Sequence, residues 1–411
     1  MSRGGKYLNK KRRGTGLGIA LLLLLATALL TLGGYAIIHA SISRNTPLTP
    51  VTPPSALVPD PEPVPIIEEE APPEEPEVPA VSISLVALGD NLMHNTVMWS
   101  GQQEDGSYDF SALYEDIRPV VEAADIACIN QETIYISDPK QFTNYPSFGG
   151  PVQIGEALAT AGFDVVEHAT NHCYDKGMQG IDDTVEFWRQ HPEVQWLGIH
   201  DCQEDADRIR VIERSGIRIA LLNYTYGTNA GQPRQAYAVD YLWDRDKIAD
   251  DIARAKELAD FVLVFPHWGT EGTFAPDAEQ REWGKFFADQ GVGAVIGGHS
   301  HTLQGVEVLT GRNGNEMPCF WSLGNFISHM AKPENMLGGL ARLTITKDSS
   351  GTYVSEFNLE PTMTWVYHGS GRDYRFRGLR LIDYTEELAE SHLIPGTEPQ
   401  TMWDLYHQIV P

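Results

Sequence analysis

The chain has 411 residues, 42% of them hydrophobic, and a formal net charge of −26 from 30 basic and 56 acidic side chains. A surface that acidic repels nucleic acid and anionic lipid, so no nucleic-acid partner is expected and any anionic ligand has to be held locally. The four cysteines show no C-x-x-C spacing, which argues against a zinc–thiolate site.

Residues 1–15 carry six positive charges and no acid, and 16–40 then run 25 positions without a formal charge. A helix of that length measures about 37 Å against a hydrocarbon core of about 30 Å, so 16–40 is predicted to be a single, somewhat tilted transmembrane anchor. The basic flank predicts a cytoplasmic tail at 1–15, with everything after the anchor outside the cell membrane. A cleaved signal peptide is the competing expectation. Gly34-Tyr35-Ala36 could serve as its cleavage site, but the apolar run is longer than such a peptide needs. Residues 41–80 contain 12 prolines and 8 acids with Arg44 as the lone counter-charge. That composition predicts a disordered, semi-rigid Pro/Glu-rich stalk. With the tail at +6 and the stalk at −7, residues 81–411 carry −25.

From Val81 onward, short apolar runs end abruptly in Asp, Asn, Glu or His. SISLVALGD ends in Asp90, ADIACINQE in Asn130 and Glu132, and FDVVEHATNH in Asn171 and His172. DFVLVFPHWGTE delivers His267 and Glu271, and VGAVIGGHSH delivers His299 and His301. Such runs suit strands buried on both faces of a sheet covered by helices. Helical patterns lie between them at 151–161, opening with Pro151 and followed by Gly162, and at 178–189, 242–258 and 278–289, the last closing at Gly291. The alternation predicts an α/β domain over 81–365, with CFWSLGNF, GLARLTIT and TYVSEFNL completing a second sheet. Residues 366–411 are expected to form an extension that packs on the domain or is partly disordered.

Residues at the carboxyl ends of such strands converge on one crevice. Mixed His, carboxylate and Asn ligation suits two divalent transition metal ions (Mn, Fe or Zn) better than Ca or Mg. Asp90 would bind one ion, Glu132 would bridge, Asn171 would offer its carbonyl oxygen, and His267, His299 and His301 would supply nitrogens. His172, beside Asn171, would be free to donate a proton. Each residue alone has a plainer role: Asp90 as a helix cap, Asn171 as a turn residue, a lone histidine as a hydrogen-bonded one. Their joint occurrence favours the site, and Gly298-His299-Ser300-His301 is its most specific element. Cys128 is expected to be a buried thiol, while Cys173 and Cys202 could pair in an oxidising exterior. Arg372, Arg375, Arg377 and Arg380 read first as a solvated charged face and second as a polymer contact.

The series GDNLMH, NQET, TNHCYDKG, HWGTE, GHSHTLQ and SLGNF, between about Ser82 and Ile327, resembles the CapA family of poly-γ-glutamate capsule synthesis, within the calcineurin-like metallophosphoesterase superfamily. The resemblance implies a double-sheet sandwich flanked by helices and a place in bacterial surface polymer production. It also implies Asp90 and His301 on a first metal, Asn171, His267 and His299 on a second, and His172 as the catalytic histidine. Two departures stand out. The superfamily's Asp-x-His becomes Asp90 with a histidine only at His94, and Glu132 replaces the usual bridging Asp. His94, Asn130 and Glu271 are therefore second-rank site residues, and Asp175 is expected to orient His172 or cap the next turn. Two functions follow. One is a metal-dependent hydrolase or transferase of the capsule polymer or its phosphate-containing intermediates. The other is a non-catalytic subunit that binds the exported polyanion beside a membrane-embedded synthase or export complex.

Overall fold

Two sheets, each built around a parallel core of buried strands, carry the strand ends that matter. A computed structural model describes residues 79–410, so the predicted tail and anchor and nearly all of the predicted stalk lie outside the described residues. Among the described residues, no helix is long and apolar enough to cross a membrane.

In the first sheet, β1 (Val81–Asn91), β2 (Ile126–Gln131), β3 (Val165–Glu167) and β4 (Gln195–Leu197) run parallel and in chain order. The second sheet contains β5 (Arg210–Arg214), β6 (Ile217–Thr225), β7 (Phe261–His267), β8 (Ala294–Ile296), β9 (Val306–Thr310) and β10 (Glu316–Phe320). Its order is β5-β6-β7-β8-β10-β9, parallel from β6 to β10 with antiparallel edges. The other edge of β1 is closed by β11 (Asn325–Ile327), parallel to its end, and by β12 (Leu337–Asp348), antiparallel along its length. Beyond β12 lie β13 (Gly351–His368) and β14 (Tyr374–Arg380).

Three of the late runs were expected to complete a second sheet together, and the structure divides them. Cys319 and Phe320 lie in β10 of the second sheet, while GLARLTIT and TYVSEFNL are strands of the first. The physical reason is pairing. β1 has an open edge that needs hydrogen bonds, and the β12–β13 hairpin supplies them in a register that sets Leu343 opposite Leu85. The boundary drawn between 365 and 366 is also displaced, because it falls inside β13, and β14 pairs with that strand from Arg380↔Thr362 to Tyr374↔His368. Residues 366–380 are thus sheet, not an appendage.

The period of two along each strand sorts side chains between layers. Ile217, Ile219 and Leu221 of β6 and Leu263 and Phe265 of β7 join Leu85 and Ala87 of β1 in one core. The alternate residues Ala220, Leu222, Val262 and Val264 face helices instead. Those helices are α3 (Arg245–Leu258), through Ile248 and Ile252, and α4 (Ala278–Gln290), through Trp283 and Phe287. Earlier in the chain, α1 (Gln153–Ala161) and α2 (Gly177–Arg189) add Leu158, Val185 and Trp188 to the main core, and α5 (Pro399–Ile409) is the last helix.

Local chemistry sets the helix ends. Asp277 and Gln280 form a capping box at the start of α4, and Gly291 ends it in the left-handed region at φ 76°. The α3 pattern was expected from 242 but the helix starts at Arg245, because the Asp244 carboxylate accepts the Lys247 N–H at 3.0 Å and caps it there. All four cysteines are free thiols. The pairing open to Cys173 and Cys202 is not made: Cys173 is buried beneath the His172 loop, whereas Cys202 is exposed ahead of a short helix at Gln203–Ala206.

Candidate metal centre

Five strand ends converge. Asp90 closes β1, Glu132 follows β2, Asn171 and His172 follow β3, His267 ends β7, and His299 and His301 follow β8. All seven are buried. Ligand atoms of Asp90, Glu132 and His301 lie within 4.8 Å of one another. His301 Nδ1 stands 3.3 Å from Asp90 Oδ2, and its Nε2 stands 3.7 Å from Glu132 Oε1. His267 Nε2 is 2.9 Å from Asn171 Oδ1 and 3.9 Å from Glu132 Oε1. The imidazole of His299 lies beside that of His267, with ring centroids 4.8 Å apart.

The backbone is shaped for this convergence. His299 has φ 94° and His301 φ 55°, left-handed conformations that a side chain with a Cβ seldom adopts. Between β8 and these histidines, a Cβ on Gly298 would lie 2.7 Å from Asp90 Oδ1, so only glycine lets the loop close over the aspartate. The His299 N–H reaches back to Asp90 at 3.2 Å.

Several buried polar atoms here have no hydrogen-bond partner among the described residues: both carboxylate oxygens of Glu132, Nδ1 of His299 and Nδ2 of Asn171. Orphaned buried groups of this kind are costly, and each calls for an explanation. Burial pushes the Glu132 carboxyl upward, Asp90 adds to the push, and His301 opposes it. Burial also drives His267 well below the ordinary histidine range and His299 down to about 3, so both present neutral nitrogens. His301 goes the other way, because Glu132 and Asp90 outweigh its burial. Two neutral imidazoles, two acids and an amide oxygen around unpaired atoms are a donor set that fits divalent cations, which would complete the unmet bonds.

Residues 84–330 match the family model described as "Bacterial capsule synthesis protein PGA_cap". The chain belongs to this family. It is 26% identical over 287 residues to the PGA biosynthesis protein CapA of Bacillus subtilis (strain 168), covering 68% of this chain and 73% of that one. It is also 26% identical over 256 residues to the capsule biosynthesis protein CapA of Bacillus anthracis, covering 60% of this chain and 59% of the relative. Among solved structures, calcineurin-like phosphoesterase YfkN from Bacillus subtilis is similar at 13% identity and a TM-score of 0.40, over 69% of this chain and 91% of that one. A 5'-nucleotidase precursor from Thermus thermophilus is similar at 15% identity and a TM-score of 0.43, over 68% and 54%.

Within this PGA_cap domain, the remaining site residues divide. His172 Nδ1 sits 2.6 Å from Asp175 Oδ2, and the same carboxylate oxygen accepts the Phe148 N–H at 2.7 Å. Phe148 packs edge-on against the His172 ring at 4.7 Å, which leaves the imidazole one orientation. Asn130 donates to Asp90 Oδ1 at 2.7 Å, so it steadies the aspartate. His94 stands apart from the three-residue group: its Nδ1 accepts the His329 N–H at 3.2 Å. Glu271 is exposed on a rim loop that Gly272 fastens to the Ser300 carbonyl at 2.8 Å.

Two contributors were missed in the sequence. Asn325 Oδ1 lies 3.0 Å from His301 Nδ1, and Asn229 Nδ2 lies 3.4 Å from His172 Nε2. Asn325 sits in the SLGNF run, where a polar residue inside an apolar strand was a usable signal. Asn229 lies in a loop without periodicity and gave none.

Proposed function

We propose that this protein is a membrane-anchored, extracellular, metal-dependent hydrolase or transferase of capsule or poly-γ-glutamate surface polymer biosynthesis. It would act on the polymer or on its phosphate-containing intermediates. The observation that carries this is His172, a histidine oriented by Asp175 at 2.6 Å and placed directly after Asn171, yet outside the Asp90–Glu132–His301 group. A site that only binds has no need of an oriented proton donor that is not itself a ligand.

Asp90, Glu132, Asn171, His267, His299 and His301 would hold divalent Mn, Fe or Zn ions, with Asn130 steadying Asp90. Bound there, the metal supplies Lewis-acid polarisation of a phosphoryl or carbonyl oxygen. The protein does the rest. Asp175 accepts the Nδ1–H of His172, which leaves Nε2 as the atom that holds a proton and passes it to a leaving oxygen. Asn229 Nδ2, 3.4 Å away, donates to Nε2 only while that nitrogen is unprotonated, so the contact belongs to the neutral imidazole before it takes up the proton. Because residues 81–411 carry −25, an anionic substrate is attracted only where the metal overrides the surrounding charge.

The second reading is a non-catalytic metal-containing subunit that binds exported polyanion and supports membrane-embedded synthase or export subunits. It is favoured by His94, which spends its Nδ1 on a backbone N–H and leaves the site short of one nitrogen. His172→Asn decides between the two. The variant is expected to keep its metal content, to lose about 10²- to 10⁴-fold in turnover and to abolish polymer production. Normal polymer yield from that strain, with yield lost in Asn171→Ala or His267→Ala strains, would establish the binding subunit instead. Attachment through 16–40 is tested by adding protease to intact cells. The described domain should be removed and a small membrane stub retained; full protection until lysis overturns the orientation.

A further inference from the structure

On the far side of the loop that carries Tyr226 and Asn229, a cavity of about 390 Å³ opens between residues 203–207, the loop itself and the start of α3. Its floor is aromatic. Trp243 is 53% exposed and lies flat on Tyr241, with ring centroids 4.0 Å apart and planes within 17°. An exposed tryptophan at a loop end is ordinarily free to rotate, but this one is backed by a second ring that is itself buried and fixed. The Tyr241 hydroxyl is 3.1 Å from Thr228 Oγ1. The rim is polar and planar, with Gln232, Arg234, Asp207 and Asp244 among the lining residues. Lys247 also lines the cavity, but its charge is matched by two acids, Asp240 at 3.2 Å and Asp251 at 2.7 Å. Arg234 has no ion-pair partner among the described residues.

We propose that this cavity is a binding subsite for a neutral glycan, in which a pyranose ring lies on the face of Trp243 while Arg234, Gln232, Asp207 and Asp244 share its hydroxyls. A rigid aromatic plane matches the apolar face of a sugar ring, and planar amide, carboxylate and guanidinium groups match pairs of neighbouring hydroxyls. Charge decides against the capsule polyanion as occupant. With Lys247 and Asp240 cancelling each other, one free cation faces two carboxylates, so a chain of carboxylates is repelled here even if the metal centre holds one. The subsite is joined to that centre by its own loop, because Asn229 N–H donates to the Asn171 carbonyl at 2.8 Å. It would therefore hold the domain to surface polysaccharide next to the site of polymer chemistry, and it stands whichever reading of that chemistry is right.

The test is calorimetric titration of the full chain in detergent with N-acetylchitotetraose and with cellotetraose, neutral glycans with and without the N-acetyl group. At least one is expected to bind. Trp243→Ala and Arg234→Ala should each weaken that binding by about tenfold or more, and Trp243→Phe should keep most of it. Both positions are on the surface, and circular dichroism and metal content should match the parent. Failure of both oligosaccharides to bind at millimolar concentration overturns the proposal, as does equal binding by the parent and the two alanine variants. Trp243-dependent binding of a γ-glutamyl oligomer in place of the glycans would overturn it as well.

Discussion

Two of the buried polar clusters in this fold answer burial in opposite ways. Around His200, nearly every charge is matched: Nδ1 meets Asp205 at 2.9 Å, Nε2 meets Asp240 at 2.9 Å, and Arg210 pairs with Asp205 at 2.7 Å. Lys247 joins Asp240 to Asp251, and Tyr224 donates to Asp251 at 3.0 Å. The unpartnered atoms are Arg210 Nε and Trp196 Nε1, neither of them on a charge left without its counter-ion, and the Arg210 guanidinium lies over the Trp196 ring at 4.0 Å. At the strand ends, by contrast, Glu132, His299 and Asn171 all keep unpaired atoms in the interior. A closed network is finished by its own residues and serves the fold. An open one is finished by something that binds.

If the closed cluster is structural, breaking it should give the largest loss of stability. Asp205→Ala leaves Arg210 and His200 buried without their shared carboxylate and is expected to cost about 3 to 5 kcal/mol in denaturant unfolding. Metal content should not change. A cost below about 1 kcal/mol would show that the network is hydrated and not closed.

The same cluster predicts a pH dependence. Burial alone would lower the His200 pKa, but Asp240 and Asp205 outweigh it and raise it from 6.5 to about 9. A group raised in the folded state contributes stability that is fully present below its unfolded pKa and lost as pH rises through the folded one. Wild type is therefore expected to lose on the order of 3 kcal/mol between about pH 6.5 and 9. His200→Gln should lose that part of the dependence and keep only the part both proteins share, to which Glu132 and His301 contribute. Both should be measured with chelator present, so that metal binding does not contribute; parallel curves for the two proteins would refute the assignment.

Much of the candidate site was legible because strands that end in candidate ligands carry a local signature, an apolar run broken by Asp, Asn or His. Gly298 and the two histidines after it stand out for the same reason: a strained turn needs particular residues in particular places. The end of α4 at Gly291 was legible from its capping chemistry. What stayed hidden depends on pairing between distant segments. Nothing local in GLARLTIT tells which sheet has the open edge, so β12 and β13 were misplaced. Asp205 and Asp240 lie 35 residues apart in unpatterned stretches, and only the fold brings them to the two nitrogens of His200.

The open cluster should respond to metal where the closed one does not. Cation at about a hundredfold over its dissociation constant is expected to stabilise the protein by about 2.7 kcal/mol, a gain that chelator removes. His299→Ala combined with His301→Ala should abolish both the gain and most of the bound metal by elemental analysis, with an unchanged circular dichroism spectrum. Equal metal content in parent and variant would move the site elsewhere.

The smallest effect is expected at Arg372 and the three arginines of β14, where exposure separates the two clusters from an ordinary surface. Arg377 pairs with Asp116 at 2.6 Å while 38% of its side chain remains exposed, and Arg380 pairs with Asp383 at 2.7 Å. Arg375 meets Asp373 at 3.3 Å, and Arg372 lies over the Trp99 ring at 5.0 Å. Water and salt screen such pairs, so Arg377→Ala should cost about 0.5 kcal/mol, less at high ionic strength. Since three of the four arginines are already occupied by acids, a polymer would have to displace those partners to bind here. Polymer yield from an Arg377→Ala strain should therefore match the parent. A marked fall in yield at unchanged stability would show that the polyanion crosses this sheet edge and that the patch is more than a solvated face.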